Sequence, residues 1–142
     1  MKSIFIPYNI PSSKNSKIAT SKGVFHSKAV GKFLRDIGIM NYSVTKRTVQ
    51  FYKTKPCLFP HKELKELFKD AKYPVEVGVH FVRKTKADFD FHNACQIIFD
   101  LLVAFEIIPD DSMKYVVPCA FQYNEQWYTI DKEKPGAYIT LQ

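Results

Sequence analysis

Residues 75–102 read VEVGVHFVRKTKADFDFHNACQIIFDLL, and this stretch decides the fold class. Val75, Val77, Val79 and Phe81 alternate with Glu76, Gly78 and His80, the period of a strand that buries one face and leaves the other to solvent. From about Asn93 to Phe105 the period changes. Ala94, Ile97, Ile98, Leu101, Leu102 and Phe105 recur at helical spacing and form a wide apolar stripe. Between the two lie the polar run Arg83-Lys84-Thr85-Lys86 and the acid pair Asp88 and Asp90. A strand that passes through a short polar connection into a helix is half of a βαβ unit. The expected fold is therefore a small α/β domain over residues 1–142, with a mixed sheet and helices packed against it.

The flanking sequence extends this plan. Ser3 to Ile10 reads as a strand stopped by Pro11, and the polar, basic PSSKNSKIATSKG that follows has the composition of an exposed loop. Ser27 to Ile37 is an amphipathic helix. Ser27 is its N-cap, Ala29, Val30, Phe33, Leu34 and Ile37 form the apolar stripe, and Lys28, Lys32 and Arg35 lie off it. Residues 41–56 fit either a helix or extended chain. His61 to Ala71 is a second helix behind Pro60, and residues 115–121, 126–130 and 137–141 are three short candidate strands.

The formal charge of +7 is unevenly spread. Residues 1–56 carry a net +10, with Asp36 their sole acid, which leaves −3 for the remainder. Such a division suits a protein that holds a polyanion with one part and a cation with the other, although a lysine-rich surface also serves solubility alone. Cys57, Cys95 and Cys119 are far apart and form no C-x-x-C pair, which argues against a disulfide framework or zinc site. The apolar start MKSIFIPYNIP is too short for a signal peptide, and no apolar run reaches membrane-spanning length. A cytoplasmic protein with no membrane contact is expected.

Asp88 and Asp90 carry the chemical signal. In a helix, residues two apart point about 200° from one another, whereas in extended chain both leave the same face and Phe89 leaves the other. Two such carboxylates form a hard oxygen pair suited to Mg²⁺ or Mn²⁺. A solvated D-x-D at a helix start is the plainer alternative. The neighbours favour the metal: Arg83, Lys84 and Lys86 precede the pair, and a second pair, Asp110 and Asp111, follows the helix, so both can meet if the helix folds back on the sheet. Flanking cations and a metal are the equipment of phosphodiester hydrolysis. No nucleotide-binding glycine motif, nucleophilic serine motif or H-E-x-x-H zinc motif competes with that reading.

The run ADFDFHNACQIIFDLL at 87–102, followed by IIPDDSM at 107–113, resembles the signature of the RusA family of Holliday junction resolvases: D-x-D, a helix bearing F-D-x-L, and a closing D-D. The opening strand with its Pro-Ser-Lys-Asn loop, Pro11 to Lys17, and the closing KPGAYITL look similar too. The resemblance implies a RusA-like fold and a homodimer that nicks branched DNA symmetrically with Mg²⁺ (Mn²⁺ as a substitute). It also implies catalytic, metal-binding aspartates at Asp88, Asp90 and Asp111; Asp110, by its place beside Asp111, is either a further metal ligand or only a charge neighbour. Lys14, Asn15, Lys17, Lys22, Arg83, Lys84 and Lys86 are the expected DNA contacts. The chain departs from the family in two respects: the stretch from the acid pair to Phe99-Asp100 is about two residues longer, and Gln96 stands where the family has a helix lysine.

Asn93 and Gln96 fit a capping box as readily as a substrate contact, and Asp100 fits a hydrogen-bonded helix acid as readily as a metal partner. Trp127 and Tyr128 suit core or dimer interface better than a base-stacking platform. Two other functions remain open: a catalytically silent nucleic-acid-binding protein of the same fold, and a nuclease acting on flaps, forks or RNA.

Overall fold

The computed structural model describes residues 2–12, 17–20 and 23–142, with backbone alone at 17–20 and 23–26. Along the chain run β1 (Ser3–Ile6), β2 (Lys17–Thr20), β3 (Gly23–His26), α1 (Lys28–Ile37), β4 (Ile39–Ser43), β5 (Thr48–Phe51) and α2 (His61–Phe68). There follow β6 (Val75–Arg83), α3 (Phe91–Ala104), β7 (Val116–Ala120), β8 (Thr129–Ile130) and β9 (Gly136–Leu141). The main sheet has the order β1-β9-β6-β7, and β8 pairs with the far end of β6. β9 is antiparallel to both of its neighbours, whereas β7 and β8 run parallel to β6. A parallel neighbour is reached only by a crossover, and α3 lies in that connection, so the expected α/β architecture with a mixed sheet holds.

Register follows the apolar pattern. Ile4 pairs with Ile139, which pairs in turn with Val79, and Ile6 and Phe81 both pair with Ala137. One sheet face is thus a continuous apolar surface, and a one-residue slip would turn all of it outward. Val30, Phe33, Leu34 and Ile37 of α1, Leu64 and Phe68 of α2, and Ile97, Ile98, Leu101 and Leu102 of α3 join that face in one core. Each fully buried side chain of this size contributes roughly 1.5–3 kcal/mol. Among the described residues no helix is long and apolar enough to cross a membrane.

Several elements differ from the sequence expectation. β6 is buried on both faces: Gly78, His80 and Val82 are inaccessible along with their alternating partners. The second face is roofed by the segment that leads into β8. His80, 0% exposed, bonds the carbonyl of Phe121 through Nδ1 at 3.0 Å and the Thr129 hydroxyl through Nε2 at 3.1 Å. A histidine that alternation assigns to solvent therefore latches this roof to the sheet. The basic segment expected to be a loop contains a hairpin, β2 with β3, in which Thr20 pairs with Gly23. Ile18, Val24 and Phe25 have strand propensity that the surrounding Lys and Ser residues masked. Residues 41–56, open to either reading, hold most of the β4–β5 hairpin, which starts at Ile39 and ends at Phe51. β1 ends at Ile6 because Pro7 has no amide hydrogen to extend the ladder.

α1 matches its expectation except at Ala29, which is exposed in the first turn rather than part of the buried stripe. Ser27 accepts a hydrogen bond from the Val30 amide at 3.3 Å, and Gly38 closes the helix at φ 89°. A Cβ at Gly38 would stand 2.1 Å from the Pro56 carbonyl oxygen, so both conformation and space require glycine there.

Candidate active site

The end of β6 delivers the acid pair. Lys84 to Lys86 bend away from the strand, the Ala87 amide donates to the Thr85 hydroxyl at 3.3 Å, and the chain then runs extended into Asp90 (φ −100°, ψ 119°). Phe89 anchors this short segment. Its ring meets Phe81 edge-on at 5.6 Å and Tyr128 at 5.2 Å, and the Arg83 guanidinium lies over it at 4.6 Å. Asp88 and Asp90 stay exposed on either side of it in sequence, the alternation expected of an extended D-x-D.

α3 starts earlier than its apolar stripe suggests. Asp90 is the N-cap and accepts the Asn93 amide at 3.1 Å, so Asn93 is not the cap but a residue of the first turn. A carboxylate satisfies an orphan amide and the positive helix end together, which is why Asp90 takes the position. One of its oxygens is thereby engaged. Two turns on, Gln96 donates through Nε2 to Asp100 at 2.9 Å, and the Tyr42 hydroxyl also bonds to Asp100. Burial first, then the Asp100 charge, pushes the Tyr42 phenol well above its ordinary range. Asp100, only 7% exposed, is thus the hydrogen-bonded acid of the two alternatives, and it fixes the amide of Gln96.

After α3 the chain doubles back. The Ile108 and Pro109 carbonyls accept hydrogen bonds from Arg47 at 2.9 and 2.5 Å, so the β4–β5 hairpin clamps the residues just before Asp110 and Asp111. Asp111 then lines a groove of about 180 Å³ with His92, Gln96 and Phe99 of α3 and Val116 and Pro118 at β7. Asp111 of the second acid pair therefore returns along the first turns of the helix that Asp90 caps. Asp88, Asp90, Asp110 and Asp111 are all exposed, and among the described residues none is in an ion pair. Among the same residues, no three His, Cys, Asp or Glu side chains are gathered into one metal-holding group. Arg47 had no signal in the sequence as a site residue, because its partners are backbone carbonyls more than sixty positions away.

The chain matches no family model, no curated protein and no solved structure. Its function is therefore read from its own residues.

The expected DNA contacts divide in three. Lys14, Asn15 and Lys22 lie outside the described residues, and Lys17 is described only as backbone in β2. Arg83 is committed to structure: half-buried, it donates to the Ile10 carbonyl at 2.6 Å and covers Phe89, and desolvation lowers its pKa. Lys84 and Lys86 are exposed beside the acid pair. Trp127 and Tyr128, 60% and 45% exposed, are not core residues, and Tyr128 reaches the acid loop through Phe89.

Proposed function

We propose that the protein is a metal-dependent endonuclease of the RusA kind, which nicks branched DNA in symmetric pairs. One observation carries this reading. An exposed, extended D-x-D leaves the end of the buried β6, the helix it opens is capped by the second of these acids, and Asp111 returns to that helix's flank. Ligand sites in sheets of this type favour the carboxyl ends of parallel strands, where Asp88 and Asp90 stand.

The donors fit Mg²⁺ or Mn²⁺ in kind: they are charged oxygens, exposed and free of competing cations among the described residues. Asp88, Asp90 through its uncommitted oxygen, and Asp111 would hold the ion, with Asp110 as a further candidate. When bound, it polarises a phosphoryl oxygen and lowers the pKa of a water. The chain's own residues supply placement. Phe89, packed between Phe81 and Tyr128, sets the acid pair, and Arg47 sets the second acid loop. Asp100 holds Gln96 at the groove of Asp111 where the family has a lysine, so Lys84 and Lys86 are the cations near the acids able to meet a phosphate. Paired nicking requires two such sites facing one junction, which an isologous homodimer provides.

The test is incubation of the purified protein with synthetic four-way junctions, forks, flaps and linear duplexes in Mg²⁺. Paired nicks at junctions, lost in Asp88→Asn and Asp111→Asn while junction binding persists, are expected. Cleavage of forks or flaps alone supports the branch-nuclease alternative, and binding without cleavage of any substrate supports the silent nucleic-acid-binding protein. Sedimentation with and without junction DNA tests the dimer, and a monomer in both conditions rules out paired nicking.

A further inference from the structure

A cleft of about 630 Å³ does not hold the acid pair but includes Lys84, the residue that follows β6 on the way to the acid loop. Its rim carries four ammonium groups: Lys32 from α1, Lys84 from the end of β6, and Lys132 and Lys134 from the turn before β9. Asp36 and Glu133 are its acids, leaving two positive charges in excess. Asp36 is already engaged by Lys32 and by the Tyr8 hydroxyl at 2.8 Å. Tyr8 and Phe5, both partly exposed, form an aromatic floor; Tyr8 is held edge-on against Phe33 at 5.0 Å and Phe5 packs on Tyr138 at 4.8 Å.

Both banks of the cleft are fastened to the same strand end. The Lys84 amide donates to Asn9 Oδ1 at 3.1 Å and Arg83 to the Ile10 carbonyl, which ties the chain after β1 to β6. On the other bank the Asp131 amide donates to the Arg83 carbonyl at 2.9 Å. Asp131 Oδ1 in turn accepts the amides of Glu133 and Lys134 at 2.9 and 3.2 Å, an Asx turn that presents Lys132 and Lys134. The four lysines come from three separate regions of sequence, yet the fold fixes their backbones around one recess.

We propose that this cleft binds a single-stranded segment of nucleic acid, an unpaired nucleotide resting on Tyr8 and Phe5 while its phosphates meet Lys84, Lys132 and Lys134. A recess with an aromatic floor and a cationic rim is the arrangement that takes unpaired bases. A duplex keeps its bases stacked inside and offers nothing to fill such a recess. Its volume falls in the range of about 300–1,000 Å³ that accommodates ligands of nucleotide size. Lys84 stands four residues before Asp88 and so joins the cleft to the acid loop along the chain. The proposal rests on the nucleic-acid reading above and deepens it: the strand that enters the cleft is one whose pairing is opened at the branch point.

The test measures binding in EDTA, so that it stands apart from cleavage. Fluorescence anisotropy compares a short labelled oligothymidylate with a duplex of equal length, over a salt series, for the wild type, the Lys132→Ala/Lys134→Ala double variant and Lys84→Ala. All three lysines lie at the cleft rim, and melting curves confirm that the variants fold. Two lost phosphate contacts should flatten the single-strand slope of log K against log salt by about 1.4 and weaken binding on the order of tenfold near 0.1 M salt. Lys84→Ala should flatten it by about 0.7. Duplex binding should change less. No single-strand binding by the wild type, an unchanged slope in both variants, or an equal loss for duplex each overturns the proposal. If the protein cleaves nothing but these lysine effects appear, the nuclease reading fails and the cleft stands.

Discussion

Asp90 holds two positions at once, as helix cap and as proposed metal ligand, and substitutions can separate them. Its Oδ1 accepts the Asn93 amide at 3.1 Å at the start of the fourteen-residue α3, whose apolar face is central to the core. Alanine removes the cap, at a cost of about 1 kcal/mol, and the carboxylate's attraction to the helix end, about 0.3–1 kcal/mol. Asparagine caps as well as aspartate and gives up only the second contribution. In a chain of 142 residues, 1 kcal/mol moves the melting midpoint by about 4 °C. In EDTA, therefore, Asp90→Ala should melt about 5–8 °C below the wild type, and Asp90→Asn within about 4 °C of it, nearer still if loss of charge relieves repulsion from Asp88. Both should lose nicking, and both should lose the rise in midpoint that Mg²⁺ gives the wild type by mass action. Circular dichroism melts with and without Mg²⁺, run beside a junction-nicking assay, read all of these quantities. An Asp90→Asn protein that nicks at the wild-type rate makes Asp90 a cap and nothing more, and an Asp90→Ala protein as stable as the wild type removes the energetic importance of the cap.

Other outcomes follow from the same structure. Gly38→Ala should destabilise by more than 1 kcal/mol in urea unfolding, because a left-handed φ of 89° and a 2.1 Å approach to the Pro56 carbonyl oppose any side chain. His80→Ala should cost roughly 2–4 kcal/mol, since it opens a buried space and leaves the Phe121 carbonyl and Thr129 hydroxyl without their partner; limited proteolysis should then cut first in the segment between β7 and β8. Burial lowers the His61 pKa below its ordinary 6.5, so the unfolded chain takes up the proton first: this contribution is whole above pH 6.5 and fades as pH falls below it, a dependence that His61→Phe should remove from denaturation midpoints measured between neutral and mildly acidic pH. Burial pushes the Cys95 thiol up to about 12, and it should resist alkylation near neutral pH until the protein unfolds.

What was legible in the sequence was whatever depended on neighbours along the chain. α1 could be read almost to the residue because its cap and stripe lie within one short segment, and the D-x-D could be read as extended because period-2 alternation is local. β6 was half legible: its inward face was plain, but the burial of His80 depends on Phe121 and Thr129, some forty and fifty positions away. The hairpin of β2 and β3 was hidden because basic and hydroxyl residues dilute its apolar signal. Asn93 competed with Asp90 for the cap, and only geometry decides between two good capping residues. Neither the grip of Arg47 on the Ile108 and Pro109 carbonyls nor the gathering of Lys32, Lys84, Lys132 and Lys134 leaves a local pattern, since both are products of the fold. The division of charge into a basic first part and an acidic second part was also incomplete, because three of those four lysines belong to the second part.

The place of β9 in the sheet bears on how the chain comes to be folded. β1 and β6 do not touch as strands; β9, the last of the described strands in chain order, is inserted between them and pairs with both. Until residues 136–141 emerge, β1 and the β9-facing side of β6 remain open edges, and the core face they share cannot close. Ser3 must find Thr140 across nearly the whole chain, a search whose loop-closure entropy delays the final step. Until that strand arrives, the nascent protein is a partly assembled layer with adhesive borders. Chaperone capture or aggregation during expression should be governed by when this one strand arrives, more than by the stability of the finished molecule.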